Sequence, residues 1–247
     1  MNTPPSETQP SAASRPADIA AVLFALCYPT VLTYLYFTAF ADAATGVLLA
    51  LFGLLKFVQF AFPLFWYRVI QRRQLELHGP TTSGLGAAIG FGLLVVGAMW
   101  LLYALWLLPG GWMKEARPVI QGKIDGFGAN TPAAYLALAI FYSLIHSLLE
   151  EYYWRWFVFG ELRRRISLPK AVIISSLGFT AHHILLLGTF FGFASPLTWF
   201  FSLSIVIGGT VWALMYHRYR SIYPVWIGHL LVDAGIFSIG FDLATLG

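Results

Sequence analysis

The sequence predicts an all-α fold, a polytopic bundle of about seven membrane-spanning helices, and three observations carry that prediction. Hydrophobic residues make up 58% of the 247 positions and charged residues only 11%, whereas a soluble domain carries roughly 25% charged residues. The apolar residues are gathered into runs of about 20, the length a helix needs to cross a hydrocarbon core about 30 Å thick. Between these runs stand short segments rich in Arg, Pro and Gly, which read as loops and turns. Residues 17–247 are therefore expected to form one transmembrane domain with no separate soluble unit.

Met1 to Pro16 is rich in Pro, Ser, Thr and Ala, a composition that cannot bury enough apolar surface to order itself, so a disordered tail is expected. No basic segment precedes the first apolar run and no signal peptide is read. The first span is expected at about 19–40, with Pro29 a kink. Ala41-Asp42-Ala43 turns the chain into a second span at about 46–67, inside which Lys56 is expected to snorkel or pair. Arg68, Arg72 and Arg73, continuing through Gln74 to His78, suit a helix lying at the interface, which Gly79-Pro80 ends. The third span, about 85–108, is rich in Gly and other small residues that permit close helix packing. The longest polar loop follows, Pro109 to Thr131. Span four is expected at about 133–159, span five at 171–190, span six at 197–216 and span seven at 222–239.

Loop charge gives an orientation. With seven spans, Arg15, Arg68, Arg72, Arg73, Arg163, Arg164, Arg165, Lys170, Arg218 and Arg220 fall on one side, and Lys114, Arg117 and Lys123 on the other. An excess of basic residues marks the cytoplasmic face, so a cytoplasmic N-terminus is expected, in a bacterial inner membrane. The net charge of +4 is accounted for by these loops, and nucleic acid is not expected as a partner. A single cysteine, Cys27, excludes an intramolecular disulfide and a cysteine metal cluster.

One stretch violates the apolar pattern. Glu150, Glu151 and Arg155 stand in the C-terminal half of the fourth span, and a charge at the bilayer centre costs about 2.5–3.5 kcal/mol on insertion scales. Glu151 and Arg155 are four apart with the acid first, the better order for a helical ion pair. Glu150 lies about 100° round the helix, on the face of His146, Trp154 and Phe157, and needs a partner from another helix. His183 in span five and His229 in span seven supply candidates. Glu150 lies 13 residues before Arg163, His183 13 after Lys170, and His229 nine after Arg220. At 1.5 Å per residue all three sit roughly 13–20 Å from the same set of loop charges. A carboxylate and imidazoles meeting there can deprotonate a water and stabilise an oxyanion. Phe179 with His183, and His229 with Asp233, are each four apart and share a face. His182, about 100° from His183, is expected to play a supporting or structural part; His146 and His217 are read as packing.

These residues resemble the CPBP family of intramembrane proteases, which includes the type II CAAX prenyl endopeptidases and bacteriocin-immunity-like relatives. The family pattern stands here as Glu150-Glu151-Tyr152-Tyr153-Trp154-Arg155, Phe179-Thr180-Ala181-His182-His183 and His229-Leu230-Leu231-Val232-Asp233. The resemblance runs over about residues 143–239. It implies an endopeptidase acting on a membrane-associated protein or peptide within the bilayer. Glu150 and His183 would activate water and His229 and Asp233 would serve the oxyanion, with Glu151, Arg155 and Phe179 in support. Asp233 departs from the Asn of the prenyl endopeptidases, and an ionised Asp would repel an oxyanion, so it must be protonated or orient His229 instead. No cofactor is expected: no His-Glu-x-x-His motif supplies two zinc ligands from one helix turn. A zinc-dependent version of the protease, using Glu150, His183, His229 and Asp233, stays open. So do a proton-coupled transporter using the same buried Glu and His residues, a haem anchor ligated by His183 and His229, and an inactive scaffold. The site is expected toward the cytoplasmic half of the membrane.

Overall fold

A computed structural model describes residues 16–41, 43–74 and 79–245. The expected tail, Pro16 apart, lies outside the described residues, as do Arg15, Asp42 of the turn and residues 75–78 of the interfacial segment. Among the described residues there is no strand. Seven helices are long and apolar enough to cross a membrane: α1 (Pro16–Ala39), α2 (Thr45–Ile70), α3 (Leu85–Leu107), α5 (Pro132–Arg163), α6 (Leu168–Phe191), α7 (Pro196–Tyr219) and α8 (Ile222–Thr245). Between α3 and α5 lies one short helix, α4 (Ala116–Gly126).

Helix α4 occupies the stretch that the sequence marked as a polar loop. Pro118 falls in its first turn, where a missing N–H costs nothing. Ala116 and Ile124 are buried, and Ile124 packs with Ala129 and Tyr135. The segment after α2 is not a helix where it is described: residues 71–74 are irregular, and Arg72 takes a left-handed φ of 53° that a helix does not continue through.

Helix starts follow local chemistry. Thr131 caps α5 by accepting from the Ala134 amide at 3.2 Å, and Ser195 caps α7 by accepting from Leu197 N at 3.3 Å, with Pro132 and Pro196 next in line. Proline at the first helical position loses no hydrogen bond. At the start of α3, Gly84 has φ 84° and lies where a Cβ would collide with the Tyr219 ring, so both backbone and packing require glycine.

The seven spans form one bundle in which α3 lies along α8, α6 along α7, and α1 along α6. Small residues bring α3 and α8 close: a Cβ on Gly92 would stand 3.0 Å from the Gly228 carbonyl, and one on Gly228 3.1 Å from the Ala88 carbonyl. One end is clasped by charge. Glu161 of α5 accepts from Arg164 at 2.8 Å, from Arg165 at 2.7 Å and from Gln71 at 3.3 Å. Asp18 of α1 lies 3.4 Å from Arg165 and accepts from Gln71 at 3.1 Å. The start of α1, the end of α2 and the end of α5 therefore share one side, as alternate crossings demand. On the opposite side the Lys123 ammonium of α4 sits over the Tyr36 and Phe37 rings at 5.3 and 4.8 Å, and its burial holds the amine below the usual lysine range.

Candidate active site

The site is built on α5, whose turns are uneven. Phe141–His146 and Tyr152–Phe159 are π-helical, with i→i+5 bonding, and between them a single α-helical stretch, Ser147–Glu151, carries both glutamates. Such wide turns often mark functional positions because they rotate the side chains that follow them. From Ser147 to Leu162 the helix is enclosed, and Glu150, Glu151, Trp154 and Arg155 are all buried.

Glu151 and Arg155 form the ion pair that their spacing predicts: Arg155 Nε donates to Glu151 Oε2 at 3.0 Å, with neither side chain exposed. The Arg155 guanidinium lies over Phe179 at 5.1 Å and Trp212 at 5.8 Å, and its two terminal nitrogens have no protein partner among the described residues. The pair is not isolated. The second oxygen of Glu151 lies 2.8 Å from His229 Nδ1. An ionised carboxylate only accepts, so Nδ1 donates and Nε2 is left as the reactive nitrogen. Trp212 stacks on the ring, with centroids 4.4 Å apart and planes 21° apart. His229 Nε2 then lies 3.9 Å from Glu150 Oε2 and 3.6 Å from Asp233 Oδ1.

Glu150 faces three imidazoles from three helices. Its Oε1 lies 3.7 Å from His182 Nε2 of α6 and 3.9 Å from His146 Nε2 of α5, while Oε2 faces His229 of α8. Of the adjacent histidines of α6, His182 is thus the one whose ring nitrogen stands against Glu150, stacked flat on Trp154 at an interplanar angle of 8°. His183 adjoins it, with ring centroids 4.1 Å apart. Its Nδ1 lies 2.8 Å from the Phe179 carbonyl, which can only accept, so His183 Nε2 is left as an acceptor. The Phe179 ring packs on His183 at 4.7 Å, as the four-residue spacing predicts.

Two further residues belong to this cluster, His146 and Lys56. The sequence assigns His146 to packing and lets Lys56 snorkel or pair; it pairs, with Nζ 3.2 Å from His146 Nε2. The signal was available in part, because His146 and Glu150 are four apart on one helix and Lys56 is the one lysine away from a span end. That the two meet depends on how α2 packs against α5, which no local pattern encodes.

The donor set is poorly arranged for zinc. Among the described residues no three His, Cys, Asp or Glu side chains stand where they could hold a metal ion. An ammonium at His146 Nε2 occupies a lone pair that a cation would need. As placed, the described side chains do not form a zinc site.

Residues 132–235 match the family described as type II CAAX prenyl endopeptidase Rce1-like. The match over these residues supports an assignment to the CPBP/CAAX protease family. The match spans all three motifs and takes in α5 through most of α8, leaving α1 to α4 outside it. Neither the comparison with curated proteins nor that with solved structures gives a significant match. The family is one of membrane proteases acting on membrane-associated proteins, and the seven apolar helices make this chain an integral membrane protein.

Proposed function

We propose that the chain is a metal-free intramembrane endopeptidase in which Glu150 is the general base. The observation that supports this most is that Glu150, buried and without an arginine or lysine on its own helix within bonding distance, faces imidazoles from α5, α6 and α8. Water held between Glu150 and His183 Nε2 gives its proton to the carboxylate as its oxygen adds to the scissile carbonyl carbon. The carbonyl π pair moves onto oxygen, and His229, as an imidazolium whose Nδ1–H is held by Glu151, donates its Nε2–H to that oxyanion. Glu150 returns the proton to the amide nitrogen as the C–N bond breaks, releasing amine and carboxylic acid. Asp233, 3.6 Å from His229 Nε2, orients the imidazole and does not itself meet the oxyanion.

An apolar groove of about 660 Å³ lies between the first half of α5 and α8, walled by Leu136, Ile140, Leu230 and Ala234 among others. Leu230 and Ala234 adjoin His229 and Asp233, so an apolar substrate segment seated there would lie beside the site. The ten-to-three distribution of basic residues supports a cytoplasmic N-terminus and clasped end on this reading.

The test uses full-length protein in liposomes with a quenched-fluorescent prenylated CAAX peptide and its unprenylated counterpart, alongside membrane proteomics of cells carrying wild type or Glu150→Gln. Cleavage by wild type and accumulation of an uncut membrane protein in the variant are expected. Equal processing by both would overturn the assignment of Glu150.

A further inference from the structure

The charges of the buried cluster are unevenly served. Glu151 has Arg155 and His229. Glu150 has imidazoles, and among the described residues the one other basic side chain at this depth is Lys56, which comes from α2, outside the family match. Its ammonium does not snorkel to an interface. It is held on its own helix between the Phe52 and Phe60 rings, at 5.7 and 5.4 Å from their centroids, one turn before and one turn after it. Cation–π contacts of this kind fix a charge in an apolar setting. They aim Nζ at His146 Nε2, 3.2 Å away, and the same Nε2 lies 3.9 Å from Glu150 Oε1.

We propose that Lys56 is a positioning residue for this protease, acting on Glu150 through His146. An ammonium has three donors and no acceptor. Contact with Nε2 therefore fixes the His146 tautomer with its hydrogen on Nδ1 and withholds from Glu150 a donor that would tie up the base. The positive charge beyond the imidazole also offsets the carboxylates of Glu150 and Asp233, which Arg155, committed to Glu151, does not. The first three spans would thus contribute to chemistry as well as to packing. The inference rests on the reading of Glu150 as the base.

The experiment has two readouts on full-length protein in liposomes. Nitrogen-15 NMR of histidine, with the His146 signal assigned by its loss in His146→Gln, reports the tautomer without reference to activity. Wild type is expected to show Nδ1 protonated and Nε2 accepting; Lys56→Met should lose that signature and Lys56→Arg keep it. With the prenylated peptide, kcat should fall about 10- to 100-fold in Lys56→Met, the cost of a misplaced reacting group, with KM within twofold, and Lys56→Arg should restore most of it. Methionine is close in volume to lysine and apolar, so the melting temperature should hold or rise. An unchanged His146 signal in Lys56→Met, or wild-type kcat in that variant, would overturn the proposal. Activity persisting in Glu150→Gln while the His146 signal still responds to Lys56 would instead overturn the assignment of the base and leave the Lys56–His146 contact standing.

Discussion

The two halves of α5 differ in charge and live in different surroundings. In the first half Leu136, Ile140, Phe141 and Ile145 are 59%, 53%, 48% and 44% exposed; in the second, Glu151, Tyr153, Trp154 and Arg155 are 0% exposed. The first half faces the groove and the space that lipid fills. The second is gripped by α1, through Tyr153 Oη donating to the Ala25 carbonyl at 2.8 Å, and by α2, whose Phe62 packs edge-on against Phe157. Phe179 of α6, Trp212 of α7 and His229 of α8 close the remaining sides. A charge facing lipid has no partner, whereas one enclosed by five helices can be paired and hydrogen-bonded. The comparison shows why the charged residues all fall on one side of His146, where the π-helical turns turn them inward.

The largest effect should come from the enclosed half. Glu150→Gln keeps the shape of a buried side chain and removes the base, so activity should fall by roughly 10²- to 10⁴-fold, the contribution of a positioned base, while the melting temperature stays within a few degrees. A comparable loss of folded protein would make Glu150 architectural. Arg155→Ala should come next. It strands Glu151 and, through it, His229, and breaking a fully buried pair costs about 3–5 kcal/mol. Thermal unfolding in detergent should show the loss together with lost cleavage. An unchanged melting temperature with lost cleavage would make Arg155 a direct participant in the reaction.

How much of this was legible follows from what periodicity can encode. The seven spans and their order could be read because length and hydropathy are local, and so could the Glu151–Arg155, Phe179–His183 and His229–Asp233 spacings, since each lies within one helix. The convergence of α5, α6 and α8 at one depth followed from counting residues to the loop charges. Which of His182 and His183 turns its ring nitrogen to Glu150 did not follow, because the two differ by about 100° and the rotation of α6 is set by packing across helices, with Trp154 of α5 stacked flat on His182. Glu151 could be paired with Arg155 on paper, but its second oxygen meets His229 only across helices. The π turns of α5 were also hidden, since they depart from the 3.6-residue repeat on which such reasoning rests. Helix α4, with Pro118, Gly122 and Gly126, is weak by propensity and is held by burial of Ile124 against Ala129 and Tyr135.

A milder change in the enclosed half measures a single contact. Tyr153→Phe removes the hydroxyl that donates to the Ala25 carbonyl and keeps the ring among Phe60 and Trp154. One net hydrogen bond contributes about 0.5–1.5 kcal/mol, so reversible unfolding should show a loss of that size with kcat preserved. A larger loss would mean that α1 is held to α5 mainly through this hydroxyl.

The smallest stability change belongs to the open half. Leu136 is 59% exposed and its environment is hydrocarbon, so truncating it exchanges protein–lipid for lipid–lipid contact without a hydrophobic penalty. Leu136→Ala should shift unfolding by less than about 0.5 kcal/mol, as for substitutions away from packed features. Yet Leu136 walls the groove beside α8. If an apolar substrate segment rests there, KM should rise severalfold with kcat unchanged, since removing contacts made equally in ground and transition states affects binding alone. Unchanged KM for both the prenylated and the unprenylated peptide would remove the groove from substrate recognition. A kcat effect would mean that the open half is coupled to the enclosed one, and that the boundary at His146 is less sharp than burial alone draws it.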